Sequence, residues 1–363
     1  SPSEELVQDG SEAKERDENG PWALWGDLKP SSTKGLCECP ALNESELLTD
    51  ILIKYGNNPE GIPAIHYAIL KNDTQAVDLL LKHGASPFTK DSHKHDCLYY
   101  SILAGSLDLV KKFIELGANP DDHSNTPPLY TAISNLQNDI AKYLIDYGVT
   151  INEEQYSDYH YLFLCAEVGN LEIYKTLSKL GVVYARQSNL VRALLDFPMS
   201  EKIGQRKMAL LNYIFLDEKL TVDTDEIIRN IHLTCPEVLI FLLDNKIIGP
   251  NDKFSNGNDH YPILHAALHS RVHYAELVKI LLARGAQANT RDPLGRSILY
   301  DLAHMNFNGP EDIEKQKETI KLLISYGADI NAIDKYKKSL LASLGPSPMY
   351  DFLVSLGAKK IGV

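Results

Sequence analysis

The sequence predicts an all-α solenoid of about ten helix-turn-helix units in tandem, with short β-turn fingers between them. Three observations carry this. First, a glycine followed by Ala or Val closes a run of apolar residues at Gly84, Gly117, Gly148, Gly181, Gly285, Gly327 and Gly357. The first four are separated by 33, 31 and 33 residues. Second, another marker leads many of these glycines by about 18 residues: Ile62–Ala68 (IPAIHYA), Asp96–Ile102 (DCLYYSI), Thr126–Ala132 (TPPLYTA), Tyr261–Ala267 (YPILHAA) and Arg296–Leu302 (RSILYDL). Third, Leu, Ile and Val recur between the two markers at helical spacing, as a buried helix face requires.

Each unit therefore reads as turn, short helix, tight turn, longer helix and glycine cap. The cap glycine has a physical cause, because a left-handed residue after a helix penalises any side chain with a Cβ. In chain order, the first unit is a short cap over Leu47–Asn57, followed by regular units that end at Gly84, Gly117, Gly148 and Gly181. Two degenerate units, Asn189–Asp217 and Asp225–Asn245, keep the apolar spacing and lose both markers. The unit ending at Gly285 is regular. The ninth carries an insertion, Asn306–Gln316, expected as a loop on one face, and the last ends at Gly357.

From Leu47 to the C-terminus the two phased markers resemble the ankyrin-repeat signature T-P-L-H-x-A, with Tyr often in place of His. The style of the repeats, long and rich in Lys, Asn, Ile and Tyr, is similar to arrays that poxviruses and intracellular bacteria use against host proteins. The resemblance implies a protein-protein interaction adaptor, monomeric, that holds a protein or peptide in a concave groove of finger tips and first helices. Carried over by register, the contact residues are His93, His95, His123, Ser124, Tyr156, Tyr159, Asn258, Asp259, Tyr261, His269, Arg296 and Tyr336. It also implies that Asn119, Asn152, Asn289 and Asn331 are positions where such arrays are hydroxylated.

Composition narrows the partner. The chain has 363 residues, 36 Lys and Arg against 49 Asp and Glu, and a net charge of −13. No basic stripe is present, which argues against nucleic acid and anionic membrane as main partners. No apolar run approaches the roughly 20 residues of a membrane-spanning helix, and no secretory signal pattern is visible. Five scattered cysteines do not form a disulfide framework, so a cytoplasmic setting, with the nucleus as alternative, is expected.

Two stretches look ligand-rich. HAALHSRVH places His265, His269 and His273 four apart, a spacing that puts side chains on one helix face. His265 falls on the signature His position, which in the family holds a turn through backbone hydrogen bonds. DSHKHDC (Asp91–Cys97) reads as a finger-tip turn with His93 and His95 directed to solvent or partner. Neither is taken as a metal site, and no cofactor is expected. Phosphate-binding, nucleophile-elbow and zinc-protease motifs are absent from the sequence. An enzyme remains as the alternative, with its active site in the degenerate region 187–223 or the insertion 306–316.

Residues 1–45 differ from the array of 46–363. They hold four bases and ten acids, a net of −6, and their first twenty residues have a disordered composition. Gly20–Pro30 (GPWALWGDLKP) carries the chain's two tryptophans, so Trp22, Leu24, Trp25 and Leu28 form a candidate linear motif. Three readings stand side by side: a binding peptide, with residues 18–30 able to fill the chain's own groove; a cap on the first repeat; and a foreign peptide fused to the array.

Overall fold

The computed structural model describes residues 44–56, 58, 61–151, 160–182, 187–196, 201–219, 222–307 and 309–362. These form two compact units, divided between Val183 and Tyr184, where the sequence suggests one continuous array.

The first unit opens with α1 (Glu44–Gly56), which starts inside the stretch assigned to the acidic segment. Four helix pairs follow: α2 (Ala64–Leu70) and α3 (Thr74–Lys82); α4 (Cys97–Leu103) and α5 (Leu107–Glu115); α6 (Pro128–Ser134) and α7 (Asn138–Tyr147); α8 (Tyr161–Val168) and α9 (Leu171–Lys179). First helices pack on first helices, α2 on α4, α4 on α6 and α6 on α8. Second helices pack likewise, α5 on α7 and α7 on α9. The core is made of the helical-period residues, among them Ile69, Ile102, Phe113, Ile133, Leu144 and Ile173, all fully buried. Each such side chain removed from water contributes on the order of 1.5–3 kcal/mol. Second helices begin at polar caps: Asp73 accepts from the Ala76 amide at 3.0 Å and Asn170 from the Ile173 amide at 3.2 Å.

The second unit contains α10 (Gln187–Leu195), α11 (Glu201–Asn212) with a π-helical turn over Tyr213–Asp217, α12 (Thr224–Arg229), a 3-10 turn over Ile231–Leu233 and α13 (Pro236–Asp244). A true hairpin follows, β1 (Lys253–Asn256) paired antiparallel with β2 (Asp259–Pro262). It leads into α14 (Ile263–Leu268), α15 (Tyr274–Ala283), α16 (Ile298–Ala303), α17 (Pro310–Ser325), α18 (Leu340–Ser343) and α19 (Pro348–Ser355). The same stacking rule holds, with α12 on α14, α14 on α16, α13 on α15 and α15 on α17. One apolar cluster runs from Val191 to Ala358.

The cap prediction is met at every marked glycine: φ lies between 77° and 100° at all seven. The degenerate units keep the same cap without the glycine. Lys219 follows the π-helical turn with φ 54°, and Lys246 follows α13 with φ 56°. Asparagine side chains tie consecutive turns together. Asn251 donates to the Gly285 carbonyl and accepts from the Gln287 amide, and Asn331 does the same with Gly357 and Lys359.

The insertion is not the expected loop. Its second half forms the first turns of α17, which is 16 residues long. Pro310 stands at the helix start with Glu311 and Asp312 in the first turn, both favourable there. Gln316 is buried and donates to the carbonyls of Leu302 and Met305, so this half is fastened to the end of α16. Phe307, from the first half, stacks on Tyr274 with centroids 5.4 Å apart.

Candidate partner-binding face

Three of the fingers are built from one repeated turn, and it is set by an aspartate. In the first unit, Asp91 Oδ1 accepts from the amides of His93 and His95, both at 2.8 Å. In the second unit Asp292 accepts from Leu294 and Arg296, and Asp334 from Tyr336 and Lys338, at 2.8–2.9 Å. The third residue after each aspartate adopts a left-handed conformation: Lys94 (φ 67°), Gly295 (78°) and Lys337 (61°). The backbone is thus satisfied internally, and the side chains two and four residues after the aspartate are displayed.

What they display differs from finger to finger. His93 is exposed, whereas His95 lies flat on Tyr99, with centroids 3.8 Å apart, and its Nδ1 is 3.1 Å from Asp91 Oδ2. The Tyr100 hydroxyl donates to the same oxygen at 2.7 Å. Burial alone would push the Asp91 carboxyl up; the hydrogen bonds from Tyr100, His95 and His93 bring it down to about 2. In the next finger His123 is mostly covered and its Nε2 meets Asp121 Oδ1 at 3.1 Å, while Ser124 is exposed with its amide on Asp122. The two fingers touch, since the Asn125 side chain donates to the His93 carbonyl at 3.1 Å.

In the second unit, Asn258 and Asp259 are exposed at the tip of the β1–β2 hairpin. Tyr261 is half-buried and stacks on Phe254 at 5.4 Å. Arg229 of α12 sits over the Phe254 ring and donates to the Ser255 carbonyl at 2.7 Å, and Asp225 accepts the Ser255 amide, so β1 of the hairpin is fastened to α12. Arg296 is pinned by Asp292 at 2.5 Å and lies over Tyr300 at 5.0 Å. Burial would lower its pKa, but Asp292 raises it. Tyr336 is 70% exposed. Tyr156, Tyr159, Asn152, Trp22, Leu24, Trp25 and Leu28 lie outside the described residues.

The three histidines of HAALHSRVH do not share a helix face. His265 is buried in α14, His269 is the residue after α14, exposed, and His273 caps α15. His265 also departs from the expected backbone role. Its Nδ1 lies 2.7 Å from Asp301 Oδ2 on the next first helix. His66, at the same register in the first unit, does reach backbone, with Nε2 2.9 Å from the Thr89 carbonyl. Among the described residues, the one group of three or more His, Cys, Asp or Glu with clustered ligand atoms is Asp91, His93 and His95.

Two of the expected hydroxylation positions have structural duties. Asn331 bridges to Gly357 and Lys359, and Asn119 accepts the Asp121 amide at 3.0 Å. Sequence reasoning overlooked Asp91, Asp292 and Asp334. Their signal was available as an Asp placed six residues before the first residue of the unit's first helix in DSHKHD, DPLGRS and DKYKKS. It also overlooked Tyr99 and Tyr300, which support His95 and Arg296 from the first helices.

A family model for ankyrin repeats (3 copies) matches residues 39–124 and 98–188. An ankyrin repeat protein of Acanthamoeba polyphaga mimivirus is 28% identical over 148 residues, which is 40% of this chain and 19% of that protein. An ankyrin repeat protein of fowlpox virus is 29% identical over 123 residues, 34% of this chain and 87% of that protein. Human protein phosphatase 1 regulatory subunit 27 is 33% identical over 64 residues, 18% of this chain and 42% of that protein. The crystal structure of the human ASB11 ankyrin repeat domain aligns over 80% of this chain and 96% of that one, at 16% identity and a TM-score of 0.30.

Proposed function

Because this chain is an ankyrin-repeat protein, and such repeats are protein-protein interaction modules, we propose that it is an adaptor that binds a partner protein through its fingers and first helices. The observation that carries the reading is the repeated Asp turn, which satisfies the finger backbone internally and leaves His93 displayed on the first unit and Leu294 and Tyr336 on the second. Tyr and Arg are typical of interface hot spots, which favours Tyr336, Tyr261 and Arg296 as anchors on the second unit, with Asn258, Asp259 and His269 as further contacts there, and His93 and Ser124 as contacts on the first unit. The viral origin of two relatives favours a pathogen protein; its action on host proteins, in the host cytoplasm and as a monomer, is part of the same proposal. Helices through the described part of 187–223 and a helical, well-fastened second half of the insertion favour the adaptor over an enzyme with a site in either segment.

The test is comparative cross-linking in host-cell extract. Tyr336→Ala and Asn258→Ala should each remove a partner that the wild-type chain and Lys321→Ala, on α17, both retain. Retention by all variants would overturn the face assignment. Titrating a peptide of residues 1–45 into the 46–363 fragment tests the chain's own 18–30 segment as occupant, and binding abolished by Trp22→Ala and Trp25→Ala is the supporting result.

A further inference from the structure

We propose that the first Asp turn of the chain, Asp91–His95, is a binding site for a divalent transition ion of the zinc type. One ligand atom from each of Asp91, His93 and His95 lies within 4.8 Å of the other two. An ion bound at about 2.0–2.2 Å by N and O ligands in tetrahedral geometry needs those atoms about 3.4 Å apart. His95 Nδ1 and Asp91 Oδ2, at 3.1 Å, stand a few tenths of an ångström inside that separation. Only His93 has to close in, and it is an exposed side chain on a turn whose backbone is already fixed.

The surroundings are those of a ligand set. Asp91 Oδ1 is held by two backbone amides, and Oδ2 receives the Tyr100 hydroxyl on one side, leaving its other lone pair toward His95. Outer hydrogen bonds of this kind orient coordinating carboxylates. The His95 ring is fixed by its stack on Tyr99. On binding, the ion replaces the His95–Asp91 hydrogen bond, and the imidazole proton sits on Nε2. Among the described residues Asp91 has no Lys or Arg ion-pair partner to displace; its pairing is with His95.

The sister turns show what is particular here. The same geometry around Asp292 and Asp334 places Leu294 with Arg296, and Tyr336 with Lys338, at the two displayed positions. None of those four residues is a usual ligand. At Asp91 both positions are imidazoles. Two imidazoles and a carboxylate select zinc, cobalt, nickel or copper over magnesium and calcium, which prefer oxygen. Three protein ligands leave a coordination position open, on a finger tip where a solvent molecule or a side chain of a bound protein would complete it.

Calorimetric titration of zinc chloride into the metal-free full chain is the experiment, with cobalt absorbance as the second readout. One saturable site per chain is expected. His93→Ala and His95→Arg should abolish it, and the latter recreates the Asp292–Arg296 pairing and so keeps the turn intact. Tyr100→Phe should weaken binding about tenfold, and magnesium should not compete. Absence of saturable binding overturns the proposal. So does binding unchanged in both histidine variants, which would place the ion on other histidines of the chain.

Discussion

Lys219 and Lys246 occupy left-handed backbone at the places where the other units have glycine. A Cβ in that conformation costs roughly 1–2 kcal/mol, and glycine gives back about 0.5–1 through its freer unfolded chain. Both lysines are exposed, so little packing is lost on replacement. Lys219→Gly and Lys246→Gly should each stabilise the chain by roughly 0.5–1 kcal/mol, read as a higher urea midpoint at unchanged slope. An unchanged or lower midpoint would show that the strain is relieved elsewhere. These residues also explain why two units were hard to read. The sequence marker was the glycine, but the physical requirement is the left-handed φ, and lysine can meet it at a cost. His66 belongs to the same scale. Burial lowers its pKa, outweighing the Thr89 carbonyl and the nearby Asp91 and Asp96 that pull it up, with His95 opposing them. The folded state therefore prefers neutral His66. Its contribution is complete above the unfolded value of about 6.5 and is lost as pH falls below it. The urea midpoint should drop between about pH 7.5 and 5.5, and His66→Gln should flatten that part of the profile.

At the level of elements, periodicity made the helix pairs legible from Leu47 onward, because each helix buries one face and the apolar spacing records it. The insertion was misread because the unit was measured against a fixed length. Pro310 followed by Glu311 and Asp312 is a helix start in plain chemistry, and it outweighed the expectation of a loop. Gln316 shows how the longer helix is held. Its side chain satisfies one carbonyl in the last turn of α16 and one just beyond it, and it is buried. Gln316→Ala leaves both without that donor and should cost about 1–3 kcal/mol, measured by chemical denaturation. A loss below about 0.5 kcal/mol, typical of surface changes, would mean that these carbonyls find other donors. The displayed finger residues were only half legible. Register located His93, Arg296 and Tyr336, but the pinning of His95 and Arg296 by aspartates follows from a turn whose hydrogen bonds leave no periodic trace.

For the molecule as a whole, the division near Val183 was not visible in the sequence, where one repeat pattern runs across it. Each unit has its own buried interior: Ile69, Phe113 and Leu144 in the first, and the cluster from Val191 to Ala358 in the second. Repeat arrays gain stability from neighbouring contacts inside each stack. Residues 184–363 expressed alone should therefore keep their helical circular dichroism and melt cooperatively; a broad, featureless melt would contradict an independent core.

The Asp turn has a bearing on how such a chain changes over generations. Its aspartate and its left-handed residue are what folding demands. The residues two and four places after the aspartate are 93 and 95, 294 and 296, 336 and 338, and they contribute backbone amides that every amino acid except proline supplies. Heritable variation at those six places is therefore separated from the demands of folding. A lineage can rewrite what its fingers recognise, from imidazoles to a guanidinium to a phenol, while the scaffold beneath stays the same.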